Sequence, residues 1–444
     1  MRRRESLMTR AVVMPIQQFI HIQGLSSIVL LAAAIAALAW ANSPWHDSYH
    51  HVWEMELTLS HLRLPFHAWI NDALMAIFFF LVGMEIKHEI VHGELNDMRR
   101  AALPVFAALG GMIVPALLYA LLNHRHDGHH GWGIPMATDI AFSLGVLGFM
   151  RGIPSELKIF LLSLAIADDI GAIAVIAIFY SGSIDTGALV TGLVLLGLIL
   201  GMLRLGISQP ILYFVLAVGF WVAILQSGIH ATIAGVILGF MVPTTAPFSL
   251  QEFQEIGSDM VKRFRRALAD GDERAAKNVL GSFEALVQST ESASERLTRE
   301  LNDWVSFLVL PLFALANAGV TFTGGIVHEV LTSRVAWGIL LGLVVGKPLG
   351  VLGFSWLAVR LRIAQLPHAV NWRQIGGVGM LAGIGFTVSI FISSLAFDND
   401  LYLAEAKTAV LAASLIAGGL GYFALRERDA VQPAAESIDP EKAL

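Results

Sequence analysis

The sequence predicts an all-α integral membrane protein with about twelve transmembrane helices. Of its 444 residues, 56% are hydrophobic and only 14% are charged, whereas soluble domains usually carry about 25% charged residues. Apolar windows recur along the chain, and a helix needs about 20 such residues to cross a bilayer. The windows are centred near residues 32, 76, 111, 142, 170, 196, 217, 236, 311, 347, 386 and 414. The chain has no cysteine, which excludes disulfides and thiolate sites.

The distribution of basic residues predicts which side of the membrane each connection faces. With the N-terminus in the cytoplasm, most of the 29 lysines and arginines fall in cytoplasmic segments, in agreement with the positive-inside rule. We therefore expect a cytoplasmic N-terminal segment at residues 1–23, a twelve-helix domain at 24–425 and a cytoplasmic tail at 426–444. The apolar run after Leu25 has no small-residue cleavage site, so we interpret it as a retained first span rather than a signal peptide.

Two segments outside the predicted spans have patterns of their own. The long cytoplasmic loop at 244–303 has apolar residues at helical spacing, which predicts one or two amphipathic helices with a break at Asp270–Glu273. On the outer face, Trp53–Leu59 alternates with period two, which predicts a short β-hairpin near 45–62. A second protomer is one candidate partner for that strand, and an ordinary exposed loop is the alternative.

Two adjacent carboxylates interrupt the otherwise apolar run from Leu161 to Tyr180. Asp168 and Asp169 lie near its middle, where an ionisable side chain costs roughly 2.5 to 3.5 kcal/mol on the insertion scale. Neighbours on a helix point about 100° apart, so one can face a polar cavity while the other lies on its flank. The pair predicts an ion or proton site. A buried ion pair or a helix end within the run is the alternative.

Further polar residues within the spans predict helices that are interrupted inside the membrane. Asp139 follows Pro135 and Thr138, and Lys347 directly precedes Pro348. The window near residue 386 contains Gly376, Gly377, Gly379, Gly383 and Gly385. Interrupted helices carry partial positive charge at the N-ends and partial negative charge at the C-ends of their halves, and Asp139 and Lys347 are available to neutralise these ends. Close helix packing is the other interpretation of the glycines.

Six sequence strings carry a family resemblance. They are ATDIAF (137–142), ADDIGAI (167–173), SGIHATIAG (227–235), LPLFALANAGV (310–320), GKPLG (346–350) and GIGFTVSIFISSLAF (383–397). In this order and on these spans, they closely resemble the sodium/proton antiporters of the NhaA type. The resemblance extends from about residue 20 to residue 422, apart from most of the cytoplasmic loop.

The resemblance implies a fold and a function. The expected fold has inverted repeats and two interrupted helices that cross near the membrane midplane. The expected function is secondary active transport, in which cytoplasmic Na⁺ or Li⁺ is exchanged for external H⁺, electrogenically and with pH dependence. We therefore expect a transporter of the bacterial inner membrane with both termini cytoplasmic and no enzymatic activity, cofactor or nucleic-acid partner. The lipid bilayer and a second copy of the chain, bound through the outer hairpin, are the expected partners.

The resemblance also assigns roles at the paired acids. Asp168 and Asp169 match the aspartates that carry protons and sodium, and Thr138 and Asp139 match the hydroxyl and acid of the interrupted fourth span. A sodium ion is expected at Asp168, Asp169 and Thr138. Lys347 matches the essential lysine of the tenth span. Two roles stay open for it: neutralising helix ends, or pairing with Asp168 and releasing a proton when sodium displaces it.

Other matched positions lie around this set. Gly383 and Gly385 match the break in the eleventh span, and Asp72 matches an acid of the second span. Glu85 and Glu89 match acids at the cytoplasmic mouth that are associated with the pH response. Plain solvation is the alternative for that pair.

One departure from the family pattern concerns the pH of activation. Thr298 and Arg299 stand where well-known members carry a Glu-His pair. Two other functional classes use membrane acids. A passive cation channel or an ion sensor remains the alternative, whereas an intramembrane aspartyl protease places its two acids on separate helices, one in a Gly-x-Gly-Asp string that no span of this chain contains.

Overall fold

A computed structural model of the chain describes residues 14–59, 62–150, 152–207, 209–322, 324–367 and 370–426. Most of the expected N-terminal segment, at 1–13, and the expected tail from residue 427 lie outside the described residues. Helices make up most of the described chain, whose only strands form one two-stranded sheet. In its secondary structure the protein is therefore an all-α membrane protein.

The helices are numbered here in chain order. Up to the cytoplasmic loop they are α1 (Met14–Ala41), α2 (His46–Glu54), α3 (Phe66–Val91), α4 (Met98–Asn123), α5 (Ile140–Gly148), α6 (Ser155–Phe179), α7 (Thr186–Arg204), α8 (Pro210–Gln226) and α9 (Ala231–Met241). From the loop onward they are α10 (Leu250–Ala269), α11 (Glu273–Ser289), α12 (Ala293–Trp304), α13 (Leu310–Asn317), α14 (Gly324–Thr332), α15 (Arg334–Arg360), α16 (Trp372–Ala382), α17 (Phe386–Ala396) and α18 (Asp400–Leu425).

Several of these helices are long and apolar enough to cross a membrane. Within the described part of the chain there are 7 such helices, and the bent pair of α16 and α17 makes up to 8. They are α1, α3, α4, α6, α7, α15 and α18. The helices α8 and α9 are apolar but shorter. This establishes a multi-pass membrane protein.

The loop at residues 244–303 contains one helix more than the sequence pattern predicts. The expected break is confirmed, because α10 ends at Ala269, Gly271 adopts a left-handed φ of 71°, and the Asp272 side chain caps α11. The base of this helical hairpin is closed by a hydrogen bond from Phe248 N to Ser289 O at 3.2 Å. The additional helix, α12, leads into the next apolar segment.

The outer segment forms two strands that begin later than expected. Strands β1 (Glu56–Leu59) and β2 (Leu62–Pro65) pair antiparallel, and the two residues between them lie outside the described chain. The prediction that Trp53 begins the strand is wrong. Trp53 ends a helical face with Tyr49, four residues earlier, and both side chains are buried. The burial of that face favours a helix over the two-residue alternation.

Glycines let α4 and α15 cross at backbone contact. A Cβ on Gly110 would overlap the carbonyl oxygen of Gly350, and a Cβ on Gly350 would overlap that of Gly110. Small residues permit such close crossings within membranes. The crossing fixes the position of α15, and with it that of Lys347, which begins the turn next to Gly350.

Candidate ion site at the crossing of two interrupted helices

The first interrupted helix changes conformation at Ala137–Asp139. A 3₁₀ helix (Asp127–Met136) precedes the break, and both Ala137 and Asp139 have extended backbone angles. Asp139 is the N-cap of α5, and its Oδ1 accepts a hydrogen bond from Phe142 N at 2.9 Å. An aspartate favours this position because its carboxylate accepts from the otherwise unpaired N–H groups of the first helical turn.

The second interrupted helix bends by 46° between α16 and α17. The link between them, Gly383–Gly385, has little room for side chains. A Cβ at Gly383 would overlap Leu343 O, and one at Gly385 would overlap Ser389 Oγ and lie 3.2 Å from Ala137 O. Both glycines are therefore required by close approach.

The other three glycines of this window differ from this pair. A Cβ at Gly377 would meet Leu425, and a Cβ at Gly379 would meet Pro348, both on neighbouring helices. A Cβ at Gly376 would have no neighbouring atom of the described chain within 4 Å. Close packing against neighbouring helices thus explains Gly377 and Gly379, whereas Gly383 and Gly385 make their close approaches at the break itself.

The two breaks are joined by backbone and side-chain hydrogen bonds. Asp139 N donates to Ile384 O at 2.7 Å, and Ser389 Oγ donates to Ile134 O at 2.8 Å. These bonds pair backbone groups that the interruptions leave without helical partners, as burial requires. The predicted interruptions are thus present, and the two helices cross at them.

The Asp139 carboxylate binds the N-ends of two half-helices at once. Besides its bond from Phe142 N on α5, its Oδ2 accepts from Thr387 N at 3.0 Å and from Thr387 Oγ1 at 2.6 Å on α17. Negative charge is stabilised at helix N-ends because the N–H groups there point outward and are unpaired. The Asp139 carboxylate therefore lies at the positive ends of two half-helices.

Lys347 contacts both a helix C-end and the paired acids. Its Nζ donates to Met136 O, at the end of the 3₁₀ helix, and forms an ion pair with Asp168 Oδ2. Both side chains of this ion pair are 0% exposed. The two arrangements considered for Lys347 therefore exist together in this conformation.

Asp168 has one oxygen engaged and one free. Its Oδ2 lies 2.6 Å from Thr138 Oγ1, whereas its Oδ1 is buried and has no hydrogen-bond partner among the described residues. Thr138 Oγ1 also lies 2.8 Å from Ala382 O. A hydroxyl has a single proton to donate, so it can donate to Asp168 or to Ala382 but not to both.

Asp169 lies on the flank of the helix and faces a different space. It lines a cavity together with Thr138, Asp139, Glu85 and Thr387. Adjacent helical positions separate the two acids, as their angular spacing predicts. The site therefore offers one carboxylate held by a lysine and a second carboxylate beside a cavity that Thr138, Asp139 and Glu85 also line.

Comparison with known proteins assigns the chain to a family. The family model described as Na+/H+ antiporter 1 matches residues 17–425. Relatives include the Na(+)/H(+) antiporter NhaA 2 of Syntrophotalea carbinolica, 44% identical over 424 residues, which cover 94% of this chain and 97% of that protein. The Na(+)/H(+) antiporter NhaA of Koribacter versatilis is 42% identical over 441 residues, covering 98% and 96% of the two chains. That of Wolinella succinogenes is 44% identical over 417 residues, covering 91% of each.

The chain belongs to the Na+/H+ antiporter 1 family. This confirms the resemblance found in the sequence strings. It also places the protein among transporters rather than enzymes.

Two polar residues of the antiporter's cavity escaped the sequence reasoning. Asn302 and Ser306 line the cavity next to Asp169. They are four residues apart at the start of an apolar segment, and this spacing places both on one helical face. That spacing is the signal that could have identified them.

The remaining predicted residues are not all part of one set. Glu85 lines the cavity, whereas Glu89 Oε1 accepts from Ser163 Oγ at 3.2 Å and from Glu94 N at 3.0 Å. Glu89 therefore joins α3 to α6 and to the connection after α3. The two acids have separate surroundings despite sharing a helical face.

Asp72 lies apart from the cavity. It belongs to a π-helical segment (Trp69–Leu74) of α3 and is half-buried, and its carbonyl oxygen accepts from Trp221 Nε1 at 3.3 Å. Asp72 is not among the residues that line the cavity.

The departing pair, Thr298 and Arg299, lies on α12. Arg299 forms a two-contact ion pair with Glu291, with one N–O distance of 2.9 Å, and this pairing raises the pKa of the Arg299 guanidinium. The Arg299 side chain is thus paired with Glu291, which lies in the same loop.

A cation at this site would depend on mixed oxygen ligands. No three His, Cys, Asp or Glu side chains converge as a metal-binding group within the described chain. The oxygens available near Asp168 are carboxylate, hydroxyl and backbone carbonyl atoms. Such hard oxygen ligands suit alkali and other hard cations rather than zinc or copper.

Proposed function

We propose that this chain exchanges Na⁺, or Li⁺, for H⁺ at a site formed by Asp168, Asp169 and Thr138. The observation that carries the proposal is the Asp168 carboxylate, bound by Lys347 and Thr138 where the two interrupted helices cross, with one oxygen left without a partner. The relatives of this chain are named for the exchange of Na⁺ and H⁺. The geometry supplies acidic groups that can carry protons and oxygens that can bind a small cation.

Protons and the cation compete for the same atoms in this mechanism. Protonated aspartates have less affinity for a cation, so sodium binds only after the protons leave. Sodium then takes Asp168 Oδ1, an oxygen of Asp169 and the Thr138 hydroxyl oxygen. The cation on Asp168 Oδ1 weakens the contact of Lys347 with Oδ2 of the same carboxylate, and Lys347 stays bound to Met136 O.

The number of protons exchanged for each sodium ion determines whether exchange is electrogenic and in which direction the membrane potential drives it. If more than one proton is exchanged for each sodium ion, every turnover moves net positive charge toward the side that gains the protons. A membrane potential that is negative inside then drives external H⁺ inward and cytoplasmic Na⁺ outward. Sodium extrusion and pH homeostasis are the resulting cellular functions.

Glu85 is the leading candidate for the pH response. It lines the same cavity as Asp169, so its charge influences whether a cation enters. Glu89 contributes through its contacts with Ser163 and Glu94, whereas Asp72 has no contact with the cavity. The replacement of the Glu-His pair by Thr298 and Arg299 is proposed to move the pH at which activity begins.

Twelve spans in inverted repeats fit the order of the helices. The long helices α4 and α6 flank the first interrupted helix, and α15 and α18 flank the second. In a twelve-span chain the interrupted helices are the fourth and the eleventh spans. They are seven spans apart, which is an odd number, so the chain crosses the membrane in opposite directions at the two helices. Both termini then lie in the cytoplasm, residues 24–425 form the transport domain of an inner-membrane protein, and the crossing lies near the midplane.

The outer strands are proposed to form a homodimer contact. Strands β1 and β2 are each four residues long, and among the described residues each pairs with the other alone. Their outer edges carry backbone groups that can pair with the same strands of a second copy.

The function is tested in inverted membrane vesicles from a bacterial strain that lacks sodium/proton antiporters. The vesicles are energised, and a pH-sensitive dye reports the proton gradient on addition of Na⁺, Li⁺ or K⁺ from about pH 6.5 to 8.5. Wild type should dissipate the gradient with Na⁺ and Li⁺ but not with K⁺. Asp168→Asn and Asp169→Asn should abolish the response, and Asp259→Asn on the exposed helix α10 serves as the control.

Two results would contradict the proposal. A correctly inserted wild type without cation-dependent proton movement would exclude exchange. Sodium flux that continues without any opposing proton movement would instead identify a passive channel.

A further inference from the structure

A second cavity, apart from the ion site, is lined by three arginines. It lies between the first turns of α4 and α6 and the connection that follows α15. Its charged lining residues are Glu94, Arg99, Arg100, Glu156 and Arg362. Three cations and two carboxylates leave the lining with a single net positive charge.

Two of the three arginines of this cavity, Arg99 and Arg362, have no carboxylate partner in the described part of the chain, and Arg100 has only long ion pairs. Arg100 lies 3.7 Å from Glu94 and 4.0 Å from Asp97, too far for hydrogen bonds. Arg99 and Arg362 form no ion pair with any described residue. By contrast, Arg263 pairs with Asp259 at 2.8 Å on α10. The guanidinium donors of Arg99 and Arg362 are therefore free to bind an external anion.

Arg362 occupies a backbone position that normally belongs to glycine. Its φ is 59°, and it is the one non-glycine residue with positive φ in the described chain. Hydrogen bonds from Arg362 N to Val359 O and from Ile363 N to Ala358 O define a Schellman motif at the end of α15.

The same motif ends two other helices of this protein with glycine. At the ends of α7 and α10 the corresponding residues are Gly206 and Gly271, with φ of 68° and 71°. An arginine at this position costs backbone free energy that glycine avoids. A role for the Arg362 side chain would account for that cost.

Apolar side chains give the cavity an amphipathic character. Leu103 and Phe160 are buried parts of its lining, whereas Ile159 and Ile363 are 40% and 46% exposed. Basic groups beside exposed apolar side chains suit a ligand that has an anionic head and an apolar tail.

We propose that this cavity binds the headgroup of an anionic phospholipid from the cytoplasmic leaflet. Its phosphate would accept hydrogen bonds from Arg362 and from Arg99 or Arg100, since guanidinium groups bind phosphate oxygens in pairs. Basic pockets between membrane helices recognise anionic headgroups in this way. The single net charge of the lining favours a phosphodiester with one negative charge, as in phosphatidylglycerol, over a multiply charged nucleotide. This inference does not depend on the exchange mechanism.

The test uses the full-length purified protein in neutral detergent and follows its thermal unfolding midpoint. Phosphatidylglycerol, phosphatidylcholine or inorganic phosphate is titrated, because a ligand that binds the folded state raises the midpoint. The variants are Arg362→Gly, Arg362→Lys and Arg99→Gln. Arg360→Gln is the matched control, since Arg360 is exposed on the last turn of α15 and does not line the cavity.

Phosphatidylglycerol alone should raise the midpoint of wild type and of Arg360→Gln. Arg362→Gly and Arg99→Gln should require about tenfold more lipid, the loss expected for one charge-assisted hydrogen bond, and Arg362→Lys should lie between. Without lipid, Arg362→Gly should unfold at the wild-type midpoint or above it, because glycine suits the backbone there.

Three outcomes would overturn the proposal. Equal stabilisation of wild type and the cavity variants would place the lipid elsewhere. An equal effect of inorganic phosphate would show that no lipid is needed. A lower midpoint of Arg362→Gly without lipid would show that Arg362 is retained for contacts within the protein.

Discussion

The two interrupted helices contribute different chemistry to the same crossing. The first break presents side chains, because Thr138 and Asp139 lie in it and bind Asp168 and two helix N-ends. The second break presents backbone groups, including Ile384 O and Thr387 N, and glycines that leave room for them. The site is therefore sensitive to loss of polar atoms at one break and to added volume at the other.

The largest effect is expected from removing the acceptor at the first break. In Asp139→Ala, the part-buried donor Phe142 N and the buried donors Thr387 N and Thr387 Oγ1 lose their partner, and an unpaired buried donor costs about 1–3 kcal/mol. Exchange should be lost, and the thermal unfolding midpoint should fall well below that of wild type. Asp139→Asn retains one acceptor oxygen and should fall less. Equal midpoints for Asp139→Ala and wild type would mean that the carboxylate does not hold the two helix ends.

Added volume at the second break should have the next largest effect. Gly385→Ala would drive a methyl group against Ser389 Oγ and Ala137 O, and overpacking of this kind typically costs about 1–3 kcal/mol. Exchange in vesicles and the unfolding midpoint should both fall. Gly376→Ala is the control, because its methyl group meets nothing within 4 Å. If both variants behaved alike, the space at the break would not matter.

Loss of one hydroxyl at the first break should have a more selective effect. Thr138→Val keeps the shape of the side chain but removes the oxygen that lies 2.6 Å from Asp168. We expect the apparent KM for Na⁺ to rise about tenfold, the equivalent of about 1.4 kcal/mol, and Thr138→Ser to restore it. Unchanged sodium dependence in Thr138→Val would remove the hydroxyl from the proposed site.

The smallest effect is expected where the same capping chemistry operates in water. The Ser249 N–H and hydroxyl donate to Glu252 at the start of α10, and these hydrogen bonds lower the pKa of the Glu252 carboxyl. The carboxyl therefore stabilises the helix fully above its unfolded pKa of about 4.3, and the contribution is lost as the pH falls through the lower folded value. The protection of the amides in the first turn of α10, measured by hydrogen exchange and corrected for the intrinsic pH dependence of exchange, should fall only below that pH. In Glu252→Gln it should show no such acid dependence.

The paired acids could be found from the sequence, but their partners could not. A charge inside a long apolar run is visible in one dimension, and so are prolines and glycines within spans. The contact of Asp168 with Lys347 joins residues 179 positions apart, and no local pattern encodes such a distance. The same limit applies to Glu85 and Glu89. The sequence shows that they share a helical face, but it does not show which neighbouring residues each side chain meets.

Local patterns also failed where burial opposed them. Alternation suggested a strand from Trp53, yet the buried face shared with Tyr49 kept Trp53 helical.

The sequence by itself determined the class of the protein, the family and the residues able to carry charge in the membrane, because hydropathy and motif strings are local properties. Only the tertiary structure decided that two breaks meet, that Asp139 binds both N-ends, and that Asp168 and Asp169 face different surroundings. These outcomes depend on how helices far apart in the chain satisfy each other's unpaired backbone groups in a medium without water.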